Sequence, residues 1–110
     1  LYVYHFGVAH FIQKRILPGL DAERTAFSGS SGGALVACCL CLGIDVLDLT
    51  RYVISCRSEC QYNPWRIIPC LERALQAFVS PMGDSAHEDA QKRLRVLLTR
   101  VEFAWLRPLL

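Results

Sequence analysis

The chain has 110 residues, of which 53% are hydrophobic and 20% charged, with 12 Lys plus Arg against 10 Asp plus Glu. That length makes one domain at most, able to bury about 65% of the surface its unfolded form exposes, and so apolar a balance excludes disorder. A formal net charge of +2, with no basic stripe interleaved with aromatics, leaves no footprint for nucleic acid. The longest apolar run, Ala34 to Leu42, has nine residues. Crossing a bilayer takes about 20.

From the N-terminus, Val3, Phe6, Ala9, His10 and Ile12 recur near the helical period, and Lys14 and Arg15 stand where a helix C-terminus favours cations. A helix is expected over Tyr2 to Ile16, stopped by Pro18-Gly19. Arg24 to Ser28 reads as a short buried strand. Ala34 to Leu42, apolar all round, reads as a buried helix with Gly43 as its C-cap. Helices are expected over Asp45 to Cys56 and Trp65 to Val79, and a short one over Ser85 to Gln91. Leu94, Val96 and Leu98 alternate within Arg93 to Val101, which predicts a second strand. No internal repeat, low-complexity tract or linker is present.

Two strands separated by helices predict an α/β layered fold. Since two strands alone make no stable sheet, the domain is expected to be partial. The chain begins at Leu1, its one methionine is Met82, and its first residues carry no basic segment or cleavage site of a secretory signal. A piece of a longer protein is therefore expected.

Six cysteines stand at 38, 39, 41, 56, 60 and 70, with no C-x-x-C pair and no histidine at ligand spacing. Cys38, Cys39 and Cys41 fall inside the apolar run, where a thiol behaves as a small hydrophobe. The expectation is reduced, buried thiols in a reducing compartment, with no metal; a Cys56–Cys60 redox pair on one helix face is the alternative.

One motif carries chemistry. Gly29-Ser30-Ser31-Gly32-Gly33 satisfies G-x-S-x-G, with Ser31 at its centre. A serine on a sharp strand-to-helix turn is held in a strained backbone, and small flanking residues leave space for the turn and for substrate. The helix that follows points its positive end at the site, where it can stabilise an oxyanion. Three other readings apply to the same residues. An ordinary Gly/Ser turn is one. A phosphate cradle is another, though the lysine of a P-loop is missing. The third is a Ser-Asp-His triad, for which His87 is the sole downstream histidine.

Tyr4-His5-Phe6-Gly7-Val8-Ala9, followed by Phe27-Ser28-Gly29-Ser30-Ser31-Gly32-Gly33-Ala34-Leu35-Val36-Ala37, resembles the patatin-like phospholipase family, nearest to its animal branch of the adipose triglyceride lipase and adiponutrin type. The stretch from Asp84 to Val101 is similar to one that precedes a core strand in that branch. The resemblance implies a patatin-like layered α/β fold, with a central sheet flanked by helices, over residues 1–102, followed by a divergent apolar tail at 103–110. It implies a lipid acyl hydrolase of phospholipase A or acylglycerol lipase type that uses a Ser-Asp dyad and no cofactor. Ser31 would be the nucleophile, with Gly29, Ser30, Gly32 and Gly33 forming its elbow.

The family also carries a G-x-G-x-x-G oxyanion loop and an aspartate in a D-G-G or D-G-A motif. This chain has no such loop, and none of Asp21, Asp45, Asp48, Asp84 and Asp89 precedes a glycine. The catalytic aspartate is therefore expected outside the chain. Losing one oxyanion donor costs about 10²–10³ in rate, and losing the activating base costs more. These residues by themselves are expected to be inactive.

Implied partners are a glycerolipid or phospholipid substrate and a membrane or lipid-droplet surface reached from the cytosolic side. His5 and His10 are expected to be satisfied structural histidines, His87 to be a solvated helix residue, and Arg93, Arg95 and Arg100 to flank the second strand on its exposed side. Trp65, Trp105 and the helix from Ile67 to Val79 are expected to pack in the core, with contact to a lipid surface as the alternative. The rival class is a non-catalytic remnant that binds lipid or a partner.

Overall fold

A computed structural model describes residues 2–98. Thr99 to Val101 of the expected second strand, and the whole tail with Trp105, lie outside them.

Helix α1 (Tyr2–Phe11) runs on into a π-helical turn at Ile12–Ile16, so the long first helix is one continuous rod with a wider final turn. Pro18 then tightens the chain into a 3₁₀ turn. Asp21 caps a second short turn, Ala22–Arg24, by accepting the Glu23 N–H at 3.0 Å. Strand β1 (Phe27–Ser30) leads through Ser31 into α2 (Gly32–Leu42). Gly43 closes α2 at φ 69°, a left-handed conformation that glycine adopts without a Cβ penalty.

Helix α3 (Val46–Ser55) starts at Asp45, whose Oδ1 accepts the N–H groups of Leu47 at 2.9 Å and Asp48 at 3.2 Å. A short helix α4 (Arg57–Cys60) follows. The Asn63-Pro64 break and a 3₁₀ turn then lead to α5 (Ile67–Phe78), and α6 (Asp84–Arg93) leads directly into strand β2 (Leu94–Leu97).

The two strands pair in parallel, Phe27 opposite Leu94 and Ser30 opposite Leu97. This corrects the layered α/β expectation. Helix accounts for 76% of the described residues and strand for 8%, and no central sheet flanked by helices is formed among them. The reason is local. Arg24 is held in the turn capped by Asp21, which delays β1 to Phe27, and Arg93 completes α6 rather than opening β2. Each strand is left with four residues, and both are sheet edges.

The core lies where α1, α2, α3, α5 and α6 meet. Phe6, Ala9, Cys39, Leu40, Leu42, Ile44, Val46, Leu49, Ala74 and Ala86 form one buried cluster, and Phe27 of β1 packs against it. Gln13 fastens the α2–α3 connection: its Nε2 donates to the Ile44 carbonyl at 2.7 Å and its Oε1 accepts the Val46 N–H at 3.0 Å. Arg93 is not an exposed strand-flanking residue. Its guanidinium donates to the carbonyls of Ala22 and Cys41, each at 2.9 Å, and so joins the turn before β1 to the last turn of α2. No helix among the described residues is long and apolar enough to cross a membrane.

Candidate active site

Ser31 occupies the single residue between β1 and α2. Its backbone stands at φ 52°, ψ −130°, the one positive φ at a non-glycine residue among the described residues. That region of conformational space costs a side-chain-bearing residue about 1–3 kcal/mol. Ser31 is exposed, and its hydroxyl makes no capping bond to the helix it precedes. Serine is favoured at an N-cap because its oxygen can accept from the first turn. Here the backbone carbonyl of Ser31 does that work, accepting the Ala34 N–H at 3.0 Å, and Oγ makes no bond to the helix.

Gly29 is the residue that makes the turn possible. A Cβ at that position would strike the Gly33 carbonyl oxygen and stand 2.5 Å from the Gly33 carbonyl carbon and 2.8 Å from the Ala34 nitrogen. The strand therefore runs directly beneath the first turn of α2, closer than any side chain permits. Gly33 itself has open space where its Cβ would be. Ser30 is the last residue of β1 and exposed, and Gly32 is the first residue of α2. The first turn of a helix presents N–H groups without intrahelical acceptors and the positive end of the macrodipole. The N–H of Gly32, directly after the serine, has the chain position that oxyanion holes of this type use.

No aspartate is hydrogen-bonded to Ser31 among the described residues. Asp21 and Asp45 are helix caps, and Asp48 pairs with Arg51 at 3.2 Å. Asp89 lies beside Cys41. Ten residues of helix separate that point from Ser31, a rise of about 15 Å. A cleft of about 430 Å³ lined by Ala22, Glu23, Asp89, Lys92 and Arg93 sits at that end of α2. His87 is exposed on α6, and His10 Nδ1 is buried without a hydrogen-bond partner among the described residues.

The α2 thiols are buried or half-buried. Burial, then the neighbouring Cys38 and Asp45, push Cys39 up to about 12, and burial also raises Cys38 and Cys41. Cys39 donates to the Ile44 carbonyl at 3.1 Å.

The other three cysteines converge on one place that spacing alone does not reveal. Cys56 Sγ, a Glu59 carboxylate oxygen and Cys70 Sγ lie within 4.8 Å of one another, and Cys60 Sγ is 4.0 Å from Cys70 Sγ. Arg73 donates to Glu59 at 2.7 Å and stands 3.3 Å from the Cys70 sulfur. Helix α5 divides its apolar residues: Cys70 and Ala74 are buried, whereas Trp65 just before the helix, Ile68 and Leu75 are exposed. Core packing thus accounts for only part of the apolar set that the sequence placed there.

No protein-family model, curated protein or solved structure matches the chain.

Proposed function

We propose that Ser31 is the nucleophile of a serine hydrolase that cleaves carboxylic esters of glycerolipids or phospholipids. The observation that carries this reading is the backbone of Ser31: a strained, exposed serine between a strand and a helix N-terminus, with its hydroxyl released from capping. An ordinary Gly/Ser turn has no need of strain at its serine, nor of the Gly29–Gly33 approach that enforces it. The resemblance of the Tyr4–Ala9 and Phe27–Ala37 segments to patatin-like phospholipases supplies the substrate class and the Ser-Asp dyad. The exposed Trp65, Ile68 and Leu75 add an apolar surface compatible with a lipid interface.

In this reading Oγ attacks the ester carbonyl, the carbonyl electrons move onto oxygen facing the α2 N-terminus, and collapse expels the alcohol and leaves an acyl-enzyme. Water then releases the fatty acid. The Oγ proton passes to the dyad aspartate, which the five aspartates of this chain do not supply through any D-G motif. Turnover by these 110 residues is accordingly expected at the level of a Ser31→Ala control.

A fluorophosphonate tests the nucleophile without requiring turnover, because it needs only the serine oxygen and donors for the phosphoryl oxygen. The oxygen–phosphorus bond forms, fluoride leaves and the proton goes to solvent. The expected result is a slow stoichiometric adduct, faster with a long-chain alkyl probe than with an ethyl one, and lost in Ser31→Ala. An adduct rate unchanged in Ser31→Ala would overturn the assignment.

A further inference from the structure

The thiols outside α2 gather around the junction of α4 and α5. Cys56 is the residue between α3 and α4, and Cys60 ends α4. The Cys60 N–H donates to the Cys56 carbonyl at 3.3 Å, and that i to i+4 turn sets the two side chains on one face. Cys70 reaches the same place from α5, across the Asn63-Pro64 break. Cys56 and Cys70 are buried, Cys60 is half-buried, and Glu59 closes the solvent side.

We propose that Cys56, Cys70 and the carboxylate of Glu59, whose ligand atoms are already gathered, hold a zinc ion that joins α4 to α5, with Cys60 turning in from beside Cys70 as the fourth ligand. Zinc–thiolate bonds of about 2.3 Å set the sulfur–sulfur edges of a tetrahedron at about 3.8 Å. The Cys60–Cys70 separation of 4.0 Å is close to that edge. Three thiolates and a carboxylate are a soft, anionic donor set suited to Zn²⁺ rather than to Mg²⁺ or Ca²⁺. They leave the site negative after the dication binds, and the Arg73 guanidinium, held on Glu59 and Cys70, offsets that charge from the outer shell, with Arg66 adding to the field at Glu59.

Each coordinated thiol gives its proton to solvent. A disulfide between Cys60 and Cys70 would leave the convergence of Cys56 and Glu59 without a purpose. A metal staple also answers a structural need: α4 is four residues long with no buried residue of its own, and small domains gain cohesion from a metal where a core is thin.

Cobalt titration of the reduced, anaerobic wild-type chain tests this directly. The expected result is thiolate-to-cobalt charge-transfer absorption with tetrahedral d–d bands, saturating at about one ion per chain and bleached by Zn²⁺. Cys38→Ser retains the bands, and Cys56→Ser and Cys70→Ser lose them. Arg73→Gln weakens Zn²⁺ binding about 10-fold or more. The wild-type reading decides the matter even where a cysteine variant fails to fold. A folded, reduced chain with no thiolate–cobalt band overturns the proposal, as does a band retained in Cys56→Ser and Cys70→Ser. A Cys60–Cys70 disulfide formed in air by a chain that binds no cobalt when reduced makes the cluster a redox pair, and overturns it as well.

Discussion

Gly29 and Gly33 are in direct backbone opposition: the strand residue lies so close under the first turn of α2 that its missing Cβ is the space the Gly33 carbonyl fills. The two glycines look alike in the G-x-S-x-G-type run, yet their requirements differ. Gly29→Ala forces two backbones apart and costs about 3 kcal/mol, the upper end of what overpacking does. Gly33→Ala points its methyl into open space within a helix and gains up to about 1 kcal/mol. Urea denaturation of both variants measures the contrast, and equal destabilisation would contradict the geometry.

Strain at Ser31 makes a second prediction. Glycine adopts φ 52°, ψ −130° freely, so Ser31→Gly is expected to raise stability by about 1 kcal/mol after its extra unfolded-state entropy is counted. Ser31→Ala keeps the strain and changes stability little. Both remove the proposed nucleophile. A Ser31→Gly chain less stable than Ser31→Ala would mean that the backbone at 31 is relaxed.

Arg93 holds two carbonyls on different elements with one planar fork. Removing it leaves the last turn of α2 and the Ala22 turn without their shared donor, and Arg93→Ala is expected to cost about 1–3 kcal/mol. Arg93→Lys recovers little of this, because an ammonium on a flexible stem does not span both acceptors. Full rescue by lysine in the same denaturation assay would show the contact to be a simple charge effect.

Acid sensitivity is expected at the start of α3. The Asp48 N–H, then the Lys14 ammonium 3.3 Å away, hold the Asp45 carboxyl below its ordinary value. A folded-state value lower than the unfolded one contributes stability that is complete above about pH 4 and is lost as pH falls through the folded value. Asp45→Asn keeps a capping acceptor without the charge. The variant should therefore unfold at lower urea than wild type at neutral pH, and the gap should close as pH falls through the lowered folded-state value of Asp45. A gap independent of pH would assign the whole effect to the cap geometry.

Much of the helical half of the molecule was legible in the sequence. The helix beginning near Asp45, the Asn63-Pro64 break, Gly43 as a C-cap and the apolar character of α2 each act within a few residues, so the structure follows them to within about two positions at most helix ends. The sheet was misread for the complementary reason. Alternation in Arg93 to Val101 marks a strand pattern, but where it begins depends on Arg93 reaching Ala22 and Cys41, contacts 71 and 52 residues away. The strained turn at Ser31 was legible because G-x-S-x-G encodes a backbone shape. The Cys56–Cys60–Cys70 cluster was not: its ligands come from two helices across a proline break, and only the fold brings Cys70 to the other two.

The most direct test of the central claim is to map, by tandem mass spectrometry, which serine carries the fluorophosphonate adduct. The chain offers seven: Ser28, Ser30, Ser31, Ser55, Ser58, Ser80 and Ser85. The adduct is expected on Ser31, with Ser30 and Ser28 of the same exposed segment unmodified. Adducts spread over the exposed serines, or concentrated on any other one, would contradict the claim.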